Sequence, residues 1–276
     1  MRLAAALAFS ALALAAAPAA QASGTPSANW AGYAVHGTTF QRVSGSWRQP
    51  HATCGPGSRT YSAMWVGLGG YALTSNQLEQ VGTELDCHRD GQESSYAWYE
   101  LVPQPSHRVS LGVHPGDWIN SSVRSSGGAV VLSIQDQTTH HGFHKTFRPV
   151  GLDVTSAEWI LEAPSQCVFG STACQTLPLT DFGQAVFRNA RAQTVAGKVG
   201  TISSPAWHIT KINLTAQGQT FTGNRPGVTT LGASATPSAL NSFGGSFTVT
   251  FRPGHGTRNA LLARPRLPGG PTYLRH

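Results

Sequence analysis

"AEWILEAPSQC", residues 157–167, sets two glutamates four positions apart in an apolar run. On a helix Glu158 and Glu162 would lie one turn apart on one face, close enough to share a proton or a metal. On a strand they also share a face, but at about 3.3 Å per residue they stand about 13 Å apart. Trp159, Ile160 and Leu161 favour extended backbone, and Pro164 opposes continuation as a helix. The stretch therefore reads as a strand, with Glu158, Ile160 and Glu162 on one face and Trp159 and Leu161 on the other. The two glutamates are then too far apart to form a proton-sharing dyad, and a catalytic partner has to come from another strand.

The surrounding chain has the same character. From Asn29 onward it breaks into short, β-rich segments separated by Gly, Pro, Ser and Asn. These include "NWAGYAVHG", "QRVSGSWRQ", "YSAMWVGLG", "NQLEQVGTE", "SSYAWYELV", "HRVSLGV", "WINSSVRSS", "AVVLSIQDQ", "HKTFRPV", "FGQAVFRNA", "AWHITKINLT" and "GSFTVTF". Strands this short and this evenly spaced predict an all-β sandwich or barrel. Gly127 and Gly128 supply the positive φ for a tight hairpin between two of them.

Composition agrees. Of 276 residues only 11% are charged, while 31 are Gly and 17 are Pro, which suits a turn-rich β protein better than a helical one. The opening "MRLAAALAFSALALAAAPAAQAS" has the charged start, apolar run and small-residue cleavage site of a secretory signal peptide, assigned to residues 1–22. No later apolar run reaches the length of about 20 residues that crosses a bilayer, so a secreted monomer without membrane attachment is expected. One β domain is assigned to residues 23–253, followed by a basic, Pro/Gly-rich tail at 254–276 for which disorder is the default expectation.

The net charge of +7 raises the question of a nucleic-acid partner. The basic residues are scattered, however, and the densest run is the tail itself, so a solvated tail is the better reading. Four cysteines bound for an oxidising compartment favour disulfides, with Cys167–Cys174 and Cys54–Cys87 the simplest of three pairings. Their spacing does not resemble a zinc site. The "HHGFH" run at 140–144 has no carboxylate or cysteine nearby and reads as a turn with exposed imidazoles. No metal and no cofactor is implied, and HExxH, GxSxG and phosphate-loop signatures are absent.

Two further segments place polar groups beside aromatics. In "YAWYE", Tyr96, Trp98 and Glu100 share a face by alternation, and "LEQVG" carries Gln80. "MWVGLGG" adds Trp65, followed by glycines that let a ligand backbone approach. Such a face suits an extended polymer, a peptide or a sugar chain.

Taken in order, "NWAGY", "MWVGLGG", "LEQVG", "YAWYE", "AEWILEAPSQC" and "LPLTDFGQAVF" resemble the motifs of the glutamic peptidases, the eqolisin family, from Asn29 to about Phe187. The resemblance implies a β-sandwich of two curved antiparallel sheets, of the concanavalin A-like or jelly-roll type, whose concave face cuts polypeptide substrates. It puts the catalytic pair on Gln80 and Glu162, with Trp65, Tyr96, Trp98, Glu100 and Glu158 as supporting residues. It also matches the Cys167 and Cys174 pair.

The implied chemistry is acid endopeptidase action: ionised Glu162 takes a proton from water, and the Gln80 carboxamide orients that water and donates to the oxyanion. Three departures affect subsite preference and pH optimum: Gly69 where the family has an acid, Tyr96 where some relatives have Asp, and Glu79 in place of Leu. The basic charge balance suggests a bacterial rather than a fungal member. The rival reading is a non-catalytic β-sandwich that binds carbohydrate or protein on the same aromatic face.

Overall fold

The structure, a computed structural model, describes residues 24–168, 174–215, 232–254 and 272–276. The expected signal peptide and most of the basic tail lie outside the described residues. Among those described there are nineteen strands and no helix.

The first seven strands are β1 (Thr25–Ser27), β2 (Trp30–His36), β3 (Phe40–Arg48), β4 (Thr60–Gly69), β5 (Leu78–Cys87), β6 (Glu93–Val102) and β7 (His107–Gly112). Next come β8 (Trp118–Ser126), β9 (Ala129–Asp136), β10 (His141–Phe147), β11 (Ser156–Glu162), β12 (Ser165–Val168) and β13 (Cys174–Thr176). The last six are β14 (Gln184–Thr194), β15 (Val199–Thr201), β16 (His208–Leu214), β17 (Ser234–Pro237), β18 (Phe247–Arg252) and β19 (Thr272–Arg275).

Every segment read as a strand carries one. Two differences concern the ends of readings. β10 starts at His141, so the "HHGFH" run is a turn only at His140, which has φ 62°, and continues as an exposed edge strand. The tail expected to be disordered forms β19 at its end, because β12 offers it a pairing edge.

Sixteen strands form one hydrogen-bonded sheet, with the order β10-β9-β8-β3-β14-β18-β17-β16-β2-β11-β4-β5-β6-β7 and with β1 and β15 as side branches. The sheet folds back on itself, so β4 and β5 lie across β3, β8 and β9 and make two layers of a sandwich. Between the layers sit Phe40, Trp47, Val66, Leu68, Val81, Leu85, Ile119, Leu132, Ile134, Trp159 and Leu161, all buried. Two indoles span this core without leaving a polar atom unpaired: Trp47 Nε1 donates to Thr83 Oγ1 at 2.9 Å and Trp159 Nε1 to the Ser44 carbonyl at 2.8 Å. The β8–β9 hairpin turns at Gly127 and Gly128, both with positive φ.

β5 and β11 are buried at every position. Alternation explains this: one face of each strand joins the interlayer core, and the other joins a second cluster that includes Ala63, Trp65, Leu78, Trp98 and Ile160. That second face carries the candidate site. The expected disulfides are present: Cys54–Cys87 ties the segment before β4 to the end of β5, and Cys167–Cys174 joins β12 to β13. β13, β12 and β19 form a separate three-stranded sheet.

Candidate active site

The antiparallel register across β11, β4, β5 and β6 lines up three rows on the second face. Glu158, Gly67, Gln80 and Glu100 form the first, Ile160, Trp65, Gly82 and Trp98 the second, and Glu162, Ala63, Glu84 and Tyr96 the third. Pairing that is set by the backbone thus gathers residues from four sequence motifs onto one surface. Gln80 and Glu162 lie on a diagonal of it, on opposite sides of the tryptophan row.

Gly82 makes that row possible. A Cβ there would lie 2.2 Å from the Met64 carbonyl oxygen and 2.6 Å from Trp65 Cβ, so the bare backbone leaves room for Trp65 on one side and Trp98 on the other.

Glu162 is 1% exposed and surrounded by side-chain donors. Trp65 Nε1 donates to its Oε2 and Asn29 Nδ2 to its Oε1, each at 2.8 Å. Trp30, paired with Glu162 across β2 and β11, sets its ring edge-on to Trp65 at 5.1 Å. Burial pushes the Glu162 carboxyl up to about 8, against the donors Trp65, Trp30 and Asn29 and the charge of Arg275, which favour its ionised form.

Gln80 is fully buried. Its Nε2 donates to Glu100 Oε2 at 2.7 Å and to the carbonyl oxygen of His276 at 2.8 Å. Both donor positions of the amide are therefore in use. Its Oε1 has no partner among the described residues, which leaves it as an acceptor. Burial raises the Glu100 carboxyl well above the ordinary carboxylate range, and its Oε2, which accepts from both Gln80 Nε2 and the His276 N–H, fixes the amide's orientation.

The supporting residues sort themselves by contact. Trp65 bonds Glu162. Trp98 instead stacks on the His276 ring, with centroids 3.8 Å apart and planes at 17°, and so walls the cleft. Tyr96 is half-buried, with the Arg108 guanidinium 4.5 Å above its ring. Glu158 is fully buried beside Gly67, in the row of Gln80, and burial raises its carboxyl well above the ordinary range.

Four participants are missing from the sequence reading. Asn29 opens the quoted "NWAGY" motif and Glu84 lies within "NQLEQVGTE", but neither has a role there. Arg275 and His276 lie in the tail. A cavity of about 260 Å³ is lined by Asn29, Trp30, Glu162, Arg275 and His276 together with the loop between β4 and β5. The acid absent at Gly69 has a counterpart from elsewhere: Asp153 packs against Gly69 and accepts the Gly70 N–H at 3.1 Å and the Ser75 hydroxyl.

Similar proteins share this architecture. Residues 28–230 match the family model described as the Peptidase A4 family. Aspergillopepsin-2 of Aspergillus niger is 30% identical over 198 residues, covering 63% of this chain and 67% of the relative. Scytalidopepsin B of Scytalidium lignicola is 31% identical over 170 residues, covering 59% of this chain and 62% of the relative. The crystal structure of scytalido-glutamic peptidase with a peptide-based transition state analog superposes with a TM-score of 0.62. It is 23% identical, with 82% of this chain and 98% of that one covered. The chain belongs to the Peptidase A4 family, the glutamic peptidases, and is with them a glutamic-type endopeptidase.

Proposed function

We propose that the chain is a secreted endopeptidase that hydrolyses peptide bonds at acid pH by direct attack of water, with Glu162 as general base and acid and Gln80 as orienting and oxyanion-stabilising group. One observation carries this: the Gln80 amide donates to the backbone oxygen of His276, the last residue, on the same face where Glu162 is held by Trp65 and Asn29. A substrate carbonyl placed where that oxygen lies would accept the same N–H, which stabilises the charge that develops on its oxygen during attack.

The steps follow from the partners. Water bound to Gln80 Oε1 and Glu162 loses a proton to the ionised carboxylate and attacks the carbonyl carbon. The resulting oxyanion is met by Gln80 Nε2, and protonated Glu162 then returns the proton to the leaving amide nitrogen. Glu100 keeps the amide from turning over, since its Oε2 accepts from Nε2 and from the His276 N–H and would repel Oε1 in the same place. Burial is the leading cause of the raised Glu162 value, so water admitted to the cleft acts to lower it.

The test is digestion of denatured protein from acid to neutral pH by the purified chain, with serine- and cysteine-directed reagents added in parallel. Acid-pH cleavage unaffected by both reagents is expected. Loss of activity with either reagent, or no cleavage by a folded chain, contradicts the proposal.

A further inference from the structure

The last described residues lie in the cleft. Thr272–Arg275 pair antiparallel with β12 in the register Ser165↔Arg275, Gln166↔Leu274, Cys167↔Tyr273 and Val168↔Thr272. Side chains pin the same segment: Ser106 Oγ donates to the Leu274 carbonyl at 3.1 Å and Gln166 Nε2 to Thr272 Oγ1 at 3.2 Å.

His276 then goes deeper than any ordinary tail residue. It is 5% exposed. Its backbone N–H donates to Glu100 Oε2 at 3.0 Å, and its carbonyl oxygen accepts from Gln80 at 2.8 Å. Its ring lies flat on Trp98, with Nδ1 3.4 Å from Glu84 Oε2 at the floor of the pocket. An extended backbone paired to a strand edge, one side chain in a pocket and a terminal backbone oxygen on the Gln80 amide are the contacts by which a peptidase would hold the acyl-side segment of a substrate after cleavage.

We infer that Thr272–His276 is an internal ligand of this peptidase, docked as a substrate's acyl-side segment with His276 in the pocket formed by Trp98 and Glu84, and that it restrains activity by competing with substrate. The inference rests on the reading of this face as the catalytic cleft. Burial raises the Glu84 carboxyl and lowers the His276 ring to about 3, so it opposes charge on both groups. The pocket accommodates a flat ring stacked on Trp98 with a polar edge toward Glu84.

The tether makes the competition effective. Docking of this segment is intramolecular, and a ligand joined covalently to its own site meets it at an effective concentration of the order of millimolar. A segment that binds with a dissociation constant of about 100 μM as a free peptide would then be bound in about nine molecules of ten.

The test compares the full chain with a chain ending at Pro271 and with full-length His276→Asp, which removes the ring from Trp98 and would bury an acidic side chain in its place. Competition within the chain predicts that both changes lower KM about tenfold; the shortened chain also loses Arg275, whose charge favours ionised Glu162, so the two changes are compared by KM and not by kcat. The free peptide Thr-Tyr-Leu-Arg-His should inhibit the shortened chain competitively. It should also bind, by calorimetry, to the shortened chain carrying Glu162→Gln. That binding needs no turnover, so it stands even if the peptidase reading fails. If the shortened chain does not fold, full-length His276→Asp carries the kinetic test. An unchanged KM in the variants that fold, or no calorimetric binding of the peptide, would overturn the inference.

Discussion

Trp65 and Glu162 sit on neighbouring strands, and the indole N–H of one donates to the carboxylate of the other across 2.8 Å. A hydrogen bond to a charged group is worth about 1.5–3 kcal/mol, and each pH unit corresponds to about 1.4 kcal/mol. Trp65→Phe keeps the ring and removes the donor. Glu162 should then ionise at higher pH, and the acidic limb of kcat/KM should move up by about one to two units. An unmoved limb would mean that Trp65 acts through packing alone.

Gly82 stands between the two indoles of the cleft, and a methyl group there collides with the Met64 carbonyl and with Trp65. Overpacking of a closed core costs about 1–3 kcal/mol, more where the contact is backbone. Gly82→Ala should lower the thermal midpoint by several degrees and reduce activity together with it, since Trp65 cannot keep its place over Glu162. A midpoint within one degree of wild type would contradict the assigned packing.

The buried carboxyls predict how stability varies with pH. Glu79 is raised to about 8 by burial and by the charge of Asp153, Glu162 is raised to about 8 by burial, and burial raises Glu84, Glu100 and Glu158 well above the ordinary carboxylate range. The folded chain therefore holds protons that the unfolded chain has released above its ordinary value of 4.5. Stability from these groups is complete below that value and is lost as pH rises through about 8. Asp136 and Asp153, which are lowered by the hydrogen bonds they accept despite burial, act the other way below 3.8. Thermal melts should show a maximum near pH 4 and a steady decline to pH 8. A midpoint that rises over that range would contradict the burial of neutral carboxyls.

The strands are legible because turn residues punctuate the chain so regularly, and the strand reading of residues 157–163 holds because Trp159 and Leu161 belong to one core and Glu158 and Glu162 to the other face. Gln80, Glu162, Trp65, Trp98 and Glu100 can be read as candidates because they lie in four compact motifs, Trp98 and Glu100 sharing one. Asn29 is in view without a role, since its partner Glu162 is 133 residues away and only the pairing of β2 with β11 joins them. β1, β12, β13, β15, β17 and β19 are three or four residues long and owe their order to neighbours rather than to local preference. The docked end of the tail is hidden most deeply: its basic, Gly/Pro-rich composition argues for disorder, and what orders it is a strand edge and a pocket contributed by distant segments.

The most direct test of the account is kcat/KM at acid pH for the chain ending at Pro271, measured side by side for the wild type, Glu162→Gln and Gln80→Ala. Loss of a general base costs about 10²- to 10⁴-fold and loss of an oxyanion donor about 10²- to 10³-fold. The account predicts near-complete loss for Glu162→Gln and a fall of at least about a hundredfold for Gln80→Ala, with both variants folded. Activity within tenfold of wild type in either would contradict the assignment of Gln80 and Glu162 as the catalytic pair.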